Sequence, residues 1–525
     1  MPKLIHRNLL AMPRGDSRVF LSWRHYSSDG VNPEFVIERR EPGGAWRALT
    51  RVTGRNTMVD QPRNPGNYEY RIQHARVPSE AVLVDNAAEA TNVALRIPLP
   101  VPAAQCVGPI ITGPLLNNVA SCYVLRFLHK DSVWFRAFGP AGGHLWDIDS
   151  GLPAQGDWGA NHVPFLIWDI DGDGRMEFIT HFGGGAWKDD LKGAHYDRAR
   201  DGEKFLVVDG ETGAPKYTAP WPAMSPRVMM TVGYLSGFNF TPQVVVQDDS
   251  YGDIVLTAVD GATGQILWQT EQARPGGHNL DIADIDGDGV QEVIAGGVCR
   301  NGDGTVRWEA ETFGHTDMSK PVDMIMDRPG MEIAYLVESG NPGVYLVDSQ
   351  GQTVWKEPFA HAHFGWIARH TPDGETRQLH AAEDRRQKTN EEHHPIFLPD
   401  GSHWTNLTNE LSRDLMPVQW DDGAQTVFVH RRDKQIVRLG QDLSLTPLEG
   451  GELPQPARFN RNLLTVDVLG DHRENIVTID EASNELIVLA NPTEISYCSV
   501  SPMESFQYLH DRSQIGSGYY LYLAP

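Results

Sequence analysis

Only four cysteines, Cys106, Cys122, Cys299 and Cys498, occur in 525 residues, too few for disulfides to organise a chain of this length. Cys106 and Cys122 are spaced to pair across one hairpin, but free buried thiols are the simpler expectation. Long hydrophobic runs are missing too. No stretch approaches the ~20 apolar residues of a membrane helix, so no membrane association is expected. The opening MPKLIHRNLLAMPRG has no apolar segment followed by a small-residue cleavage site. Two locations are therefore expected: secreted or periplasmic if a signal peptide has been removed, cytoplasmic otherwise. Positive charge is in deficit, with 45 Lys+Arg against 69 Asp+Glu and a net charge of −24. That argues against sequence-independent nucleic-acid binding, which needs a basic surface. An anionic sugar remains open as a partner if a local cationic cleft exists. Serine nucleophile elbows, P-loops and a G-x-G-x-x-G after a strand are absent, and no organic cofactor is expected.

Turn formers are abundant, with 51 Gly and 35 Pro. Residues 1–98 carry short alternating strands, RVFLSWRHYSS, EFVIERRE and YEYRIQHARV, with Trp23 placed to fill a small core; they read as a fibronectin type III-like β-sandwich. A proline-rich connector, LRIPLPVPAAQ, follows. From residue 99 to 525 one pattern recurs. An apolar strand, a turn and a returning strand lead into an outer hairpin such as AVDGATGQILW, LVDSQGQTVW or IFLPDGSHW. Four short strands per unit at this repeat length signal a β-propeller. The class is all-β; eight blades are expected, with seven left open because the first inner hairpin is degenerate.

Two inner turns, DIDGDGRME and DIDGDGVQE, share the spacing D-x-D-G-D-G-x-x-E. Asp169, Asp171, Asp173 and Glu177 fall where an EF-hand-like loop places its oxygen ligands, as do Asp284, Asp286, Asp288 and Glu292. Hard oxygens at this density suit calcium. These loops join strands, so a structural role is expected; a solvated acidic turn is the bland alternative. In HVPFLIWDIDGDGRMEFITHF the arms are antiparallel, so His162 and His181 meet at the end opposite the acidic loop. The position of His162 recurs as Arg227, His278, His315, His363, Asp414 and Asn460, which predicts a polar, histidine-rich ring at one mouth. Arg227, His278, His363 and Asn460 are expected to contact substrate there. Tyr251 and Arg274 lie near the same mouth.

Imidazole, phenol and guanidinium around one cleft suit β-elimination from a uronic acid. The neighbouring carboxylate must be neutralised before the C5 proton can leave, and histidine or tyrosine can move protons. His162 and Arg274 are assigned to the carboxylate, His181 to the base, and Tyr251 to base or acid.

The segments GANHVPFLIWDIDGDGRMEF, GGHNLDIADIDGDGVQEVI, FGHTDMSKPVDMIMDRPGMEIA and VDVLGDHREN resemble the rhamnogalacturonan lyases of polysaccharide lyase family 11, and VFLSWR fits the N-terminal module of that family. The resemblance implies a calcium-rich propeller that cleaves rhamnose–galacturonate bonds by elimination. In ITHFGGGAW His181 departs from the Lys-Thr-Ala-type stretch expected there, and the first blade lacks an acidic loop. A His–His–Tyr–Arg set in this order is similar to the propeller ulvan lyases, which cleave rhamnose–glucuronate bonds. By that resemblance His162, His181, Tyr251 and Arg274 carry over, ulvan is slightly favoured over rhamnogalacturonan, and a structural zinc held by Cys299 and His315 with His278 and His363 is a further expectation. Zinc there would take those histidines out of catalysis. The expected partner is an anionic rhamnose-containing polysaccharide, and a monomer is expected. The competing readings are a non-catalytic calcium-dependent propeller that binds carbohydrate or protein, and a hydrolase acting on rhamnosyl-uronate termini.

Overall fold

Alternating burial in Glu34–Arg40 and Asn67–His74 turns one face of each N-terminal strand into a core, as period-two side-chain placement requires. The computed structural model describes residues 7–116, 120–153, 163–183, 202–225, 227–248, 251–311, 314–371, 374–383, 393–423, 425–453, 463–517 and 522–525. Two sheets form the N-terminal module. One contains Leu10–Pro13, Val19–Ser22 and Thr57–Asp60; the other is built around Glu34–Arg40 and Asn67–His74. Trp23 lies between them, fully buried, edge-on to Phe35 at 5.5 Å. Burying a side chain of this kind contributes ~1.5–3 kcal/mol.

Beyond it, eight sheets with four consecutive positions each follow one another, and the chain is a β-propeller. Their innermost strands are Ile111–Leu116, Phe165–Trp168, Val228–Gly233, Asp281–Ala283, Thr316–Val322, Ala362–Ala368, Leu415–Val418 and Leu464–Val466. The eighth sheet takes its outermost strand from elsewhere. Val93–Pro98 pairs antiparallel with Glu485–Leu489. These residues, read from sequence as the end of the sandwich and the start of a connector, close the propeller instead, and the strands of the sandwich end with Val82–Asp85.

The repeated outer hairpin has a physical reason. A tryptophan on the outermost strand of one sheet donates its indole N–H to a carbonyl in the hairpin of the next: Trp146 to Gly210 at 2.8 Å, Trp268 to Gly302 at 2.9 Å, Trp308 to Ser349 at 3.0 Å and Trp355 to Pro399 at 2.9 Å. The ring then lies over a glycine of that hairpin. A Cβ on Gly304 or Gly351, both at positive φ, would come within 2.8 Å of the indole, so backbone and packing both demand glycine.

The inner turns share a second device. The residue that begins the second strand accepts backbone N–H groups at the end of the first. Glu177 does so for Ile170 at 3.0 Å, Gln243 for Leu235 at 2.8 Å, Glu292 for Ile285 at 3.1 Å, Glu332 for Met324 at 3.0 Å and Asn475 for Val468 at 3.1 Å. Amides serve as well as carboxylates here, so this closure is independent of any metal.

The centre is filled. The C-terminal helix Phe506–Ser513 lies among the innermost strands: His510 Nε2 meets the Val232 carbonyl at 2.5 Å, and the nearby Ser517 Oγ accepts from Met230 N at 2.6 Å. Strand Tyr522–Leu523 then adds in parallel to Ala362–Ala368. Among the described residues no helix is long and apolar enough to cross a membrane.

Burial holds several histidines neutral. The ring of His380, hydrogen-bonded to the Pro395 carbonyl and Ser412 Oγ at 3.0 Å each, is pushed down to about 3, as is His370, and His510 to about 4. Below pH 6.5 the unfolded chain binds protons at these sites that the native chain refuses. Stability therefore falls as pH drops from 6.5 toward 4, on the order of 2 kcal/mol per histidine at pH 5. A steep loss of Tm between pH 7 and pH 5 is expected, and replacing His380 with Gln should flatten it in that window.

Candidate active site and metal centres

The turn ends and the strand starts of each sheet lie at opposite edges, and the two kinds of predicted site divide accordingly. At the turn edge, Asp169, Asp171 and Glu177 bring ligand oxygens within 4.8 Å of one another, and so do Asp284, Asp286 and Glu292. Asp173 and Asp288 stand outside these two groups. Their Oδ1 atoms accept the backbone N–H of Arg175 and Val290 at 2.8 Å each. Burial pushes Glu177 and Glu292 up to about 7. A cationic side chain from the outermost strand reaches into each loop: Lys216 Nζ lies 2.9 Å from Glu177 and 2.5 Å from Asp171, and Arg307 contacts Glu292 at 2.9 Å and also Asp286. The donor set is all oxygen and fits a hard divalent cation, which would share or contest these carboxylates with the two cations.

At the opposite edge the starts of four innermost strands converge. Arg227 precedes Val228–Gly233, His278 precedes Asp281–Ala283, His315 precedes Thr316–Val322, and His363 lies in Ala362–Ala368. Tyr251 sits among them, about half exposed. Its hydroxyl is 3.0 Å from His278 Nε2, its ring is stacked on His315 at 4.1 Å, and the Arg227 guanidinium lies 5.1 Å from the ring centre. Burial raises its phenol above the ordinary value, and Arg227 opposes that.

Three further residues complete this cluster: Asp317, Glu338 and His361. Asp317 is buried with its carboxylate toward His278, His315, His361 and His363. Burial would raise its carboxyl, but the imidazoles of His315, His361 and His363 outweigh it and hold the group well below the usual carboxylate range. Glu338, at the end of the neighbouring strand, is raised by burial and by the charge of Asp317. A signal for two of them was present. In His315-Thr-Asp317 and His361-Ala-His363 the spacing of two puts both side chains on one face of a strand.

The remaining predicted residues make other contacts. His181, in Glu177–Phe182, is buried, stacked on Trp221 at 4.0 Å, with Nε2 3.2 Å from Glu203. Arg274 forms an ion pair with Glu309 at 2.8 Å on the outermost strand of the fourth sheet. Cys299 does not join His315. It is a fully buried member of an apolar cluster with Ile294, Ile333 and Tyr335, and the charges nearest its thiol are Glu292, Arg307 and Asp286, the turn edge rather than the histidine edge. Sequence distance hid this, because Cys299 lies on the third strand of its sheet and not at a strand start. All four cysteines are free thiols. His162 and Asn460 lie outside the described residues. One more group, Glu357 with His393 and His403, lies on outer strands at the surface.

The model of rhamnogalacturonan lyase family 11, C-terminal domain, matches residues 221–519. That is more than half of the chain, which therefore belongs to rhamnogalacturonan lyase family 11. It is similar to the rhamnogalacturonan exolyase YesX of Bacillus subtilis (strain 168), with 28% identity over 407 residues, 66% of this chain and 65% of the relative. It is also similar to the rhamnogalacturonan endolyase YesW of the same organism, with 28% identity over 252 residues, 41% of this chain and 40% of the relative. Both matches span less than two thirds of the relative. Among solved structures, the Bacillus licheniformis rhamnogalacturonan lyase PL11 superposes with a TM-score of 0.79 at 21% identity, over 99% of this chain and 96% of that one. The exotype rhamnogalacturonan lyase YesX gives 0.77 at 20%, over 100% and 96%. At such identities these superpositions establish the fold.

Proposed function

We propose that this chain is a polysaccharide lyase that cleaves a rhamnose–uronate bond by β-elimination. The observation that carries the reading is the half-exposed Tyr251, with an imidazole 3.0 Å from its hydroxyl and a guanidinium against its ring. In the reaction the C5–H and C4–O4 bonds of the uronate break, a C4=C5 double bond forms, and the departing O4 takes a proton. Tyr251 supplies or accepts a proton at this centre. Arg227 faces Tyr251 and neutralises the uronate carboxylate, a part that sequence assigned to Arg274, whose guanidinium is engaged by Glu309. His181 is retained as base, with Glu203 orienting its ring as a carboxylate orients a general base.

Rhamnogalacturonan is the first substrate to test, because the similar curated proteins are named for it. His181 keeps ulvan in the assay. Incubation with each polysaccharide, followed by ultraviolet absorbance, should show unsaturated uronate ends in at least one. Saturated reducing ends would indicate a hydrolase, and binding of both without turnover would indicate a carbohydrate-binding propeller.

Both acidic turns are proposed to hold calcium as structural clamps. Calcium is expected to raise the Tm of chelator-treated protein by several degrees, and the combined Asp171→Asn and Asp286→Asn variant should lose that gain while keeping its circular dichroism. An unchanged calcium response in this variant would remove the clamps from the account.

A further inference from the structure

Away from the histidine mouth, three side chains that can ligate a metal meet at the rim between the fifth and sixth sheets. Ligand atoms of Glu357, His393 and His403 all lie within 4.8 Å of one another. The strands explain the meeting. Trp355 and Glu357 stand two apart on the outermost strand Thr353–Pro358, so they share one face. Trp355 donates its indole N–H to Pro399 in the hairpin of the sixth sheet, so that face looks toward the sixth sheet. His403 looks back. It precedes Trp404 on the outermost strand His403–Asn406, and Trp404 packs into the apolar cluster that holds Leu439; alternation turns His403 the other way. In three other sheets the residue before the corresponding aromatic is Leu145, Leu267 or Val354. In two more it is Lys216 or Arg307, each serving an acidic turn. The sixth sheet puts an imidazole there, and His393, just before Pro395–Phe397, adds a second.

Ring packing aims both imidazoles. His393 packs edge-on against Phe359 at 5.0 Å, and His403 against Phe397 at 5.1 Å. Phe397 lies in turn against Trp355 at 5.0 Å. The two Nε2 atoms approach the same oxygen, Glu357 Oε1, at 3.3 Å for His393 and 3.9 Å for His403. An N–H···O hydrogen bond spans roughly 2.7–3.2 Å, and both contacts exceed that. Two ligands bound ~2.1 Å from one tetrahedral ion stand ~3.4 Å apart, a value the two separations bracket. Each of the three side chains is about a third exposed, which lets water complete the coordination. Two imidazoles with one carboxylate suit a borderline divalent ion such as zinc, whereas the all-oxygen turns suit calcium.

We propose that Glu357, His393 and His403 form a zinc site that clamps the fifth sheet to the sixth at the rim of the propeller. It shares no residue with the histidine mouth or with either acidic turn. Three protein ligands leave the fourth position to water. The ion joins two sheets that the Trp355 hydrogen bond already links, and it stabilises the native chain by binding the assembled trio alone. The site stands independently of the lyase reading, because its occupancy is measured without substrate.

The test counts zinc and then locates it. Full-length protein is stripped with a chelator, dialysed against zinc in the presence of excess calcium, and analysed by mass spectrometry of the elements. Wild type is expected to hold one more zinc per chain than His403→Ala or Glu357→Gln. Each substitution should weaken this site about a hundredfold or more with unchanged circular dichroism, since the side chains are partly exposed. Location is read on wild type itself. At zinc about ten times Kd, acylation of His393 and His403 by diethyl pyrocarbonate should slow about tenfold, measured peptide by peptide. Equal zinc in wild type and both variants overturns the proposal and assigns any bound ion to other residues. So does wild type that takes up no zinc, or acylation of His403 that zinc leaves unchanged.

Discussion

Replacement of Tyr251 by phenylalanine is expected to lower kcat by about a thousandfold, within the range of a positioned proton-transfer group, and to leave KM within about twofold. The ring can stay where it is. Its stacking on His315 and the edge contact with His278 involve carbon atoms that phenylalanine retains, so the loss isolates the hydroxyl. A thousandfold loss corresponds to ~4 kcal/mol of transition-state stabilisation, more than one ordinary hydrogen bond contributes. Steady-state rates on whichever polysaccharide is cleaved, followed by absorbance, give the number. Activity within tenfold of wild type would take Tyr251 out of the chemistry. Arg227→Lys supplies the companion measurement: the charge is kept but the planar guanidinium over the ring is lost, so an intermediate loss is expected.

Much of this site was legible because it repeats. Arg227, His278, His315 and His363 share one position in successive units, and a repeat that winds around an axis brings equivalent positions to one mouth. Asp317 and His361 lie two residues from His315 and His363, within reach of the same alternation, but outside the single position that recurs from unit to unit. Glu338 was harder, since it sits at the end of a second strand, and only the register of Thr316 opposite Val337 brings it beside His315. Cys299 was misjudged because residue type suggested a ligand while the third strand of its sheet points into an apolar layer. At the fold level, local patterns carried the outer hairpins and the acidic turns. Val93–Pro98 gave no local sign of its role, because its partner strand Glu485–Leu489 lies at the other end of the chain. The C-terminal helix was missed for a related reason. Its sequence FQYLHDRS has the polarity of a surface helix, although His510, Asp511 and Arg512 are all buried.

Those buried charges support the second large prediction. Arg512→Met is expected to destabilise the protein by ~3–5 kcal/mol, the cost of stranding one member of a buried ion pair. Arg512 Nη2 lies 2.7 Å from Glu474 Oε1, and both side chains are completely inaccessible. Glu474 also accepts from the hydroxyls of Tyr508 at 2.8 Å and Tyr522 at 2.6 Å, and from the backbone N–H of Gln419 at 2.9 Å. It therefore ties the last sheet to the central helix and to the terminal strand. Without Arg512 the carboxylate keeps its neutral donors but loses its counter-charge. Asp511 is better protected, because Lys320 also pairs with it. A second substitution, Glu474→Gln, removes the stranded charge while keeping an acceptor for the tyrosines. The double variant should consequently recover a large part of the loss, with a coupling energy of ~2 kcal/mol or more. Denaturant unfolding of the four proteins measures it. Additive losses would mean that the helix is held by its packing alone; strong coupling would make the GDHRE segment of the last sheet the electrostatic lock that seats the C-terminal helix in the channel, on which the shape of the histidine mouth depends.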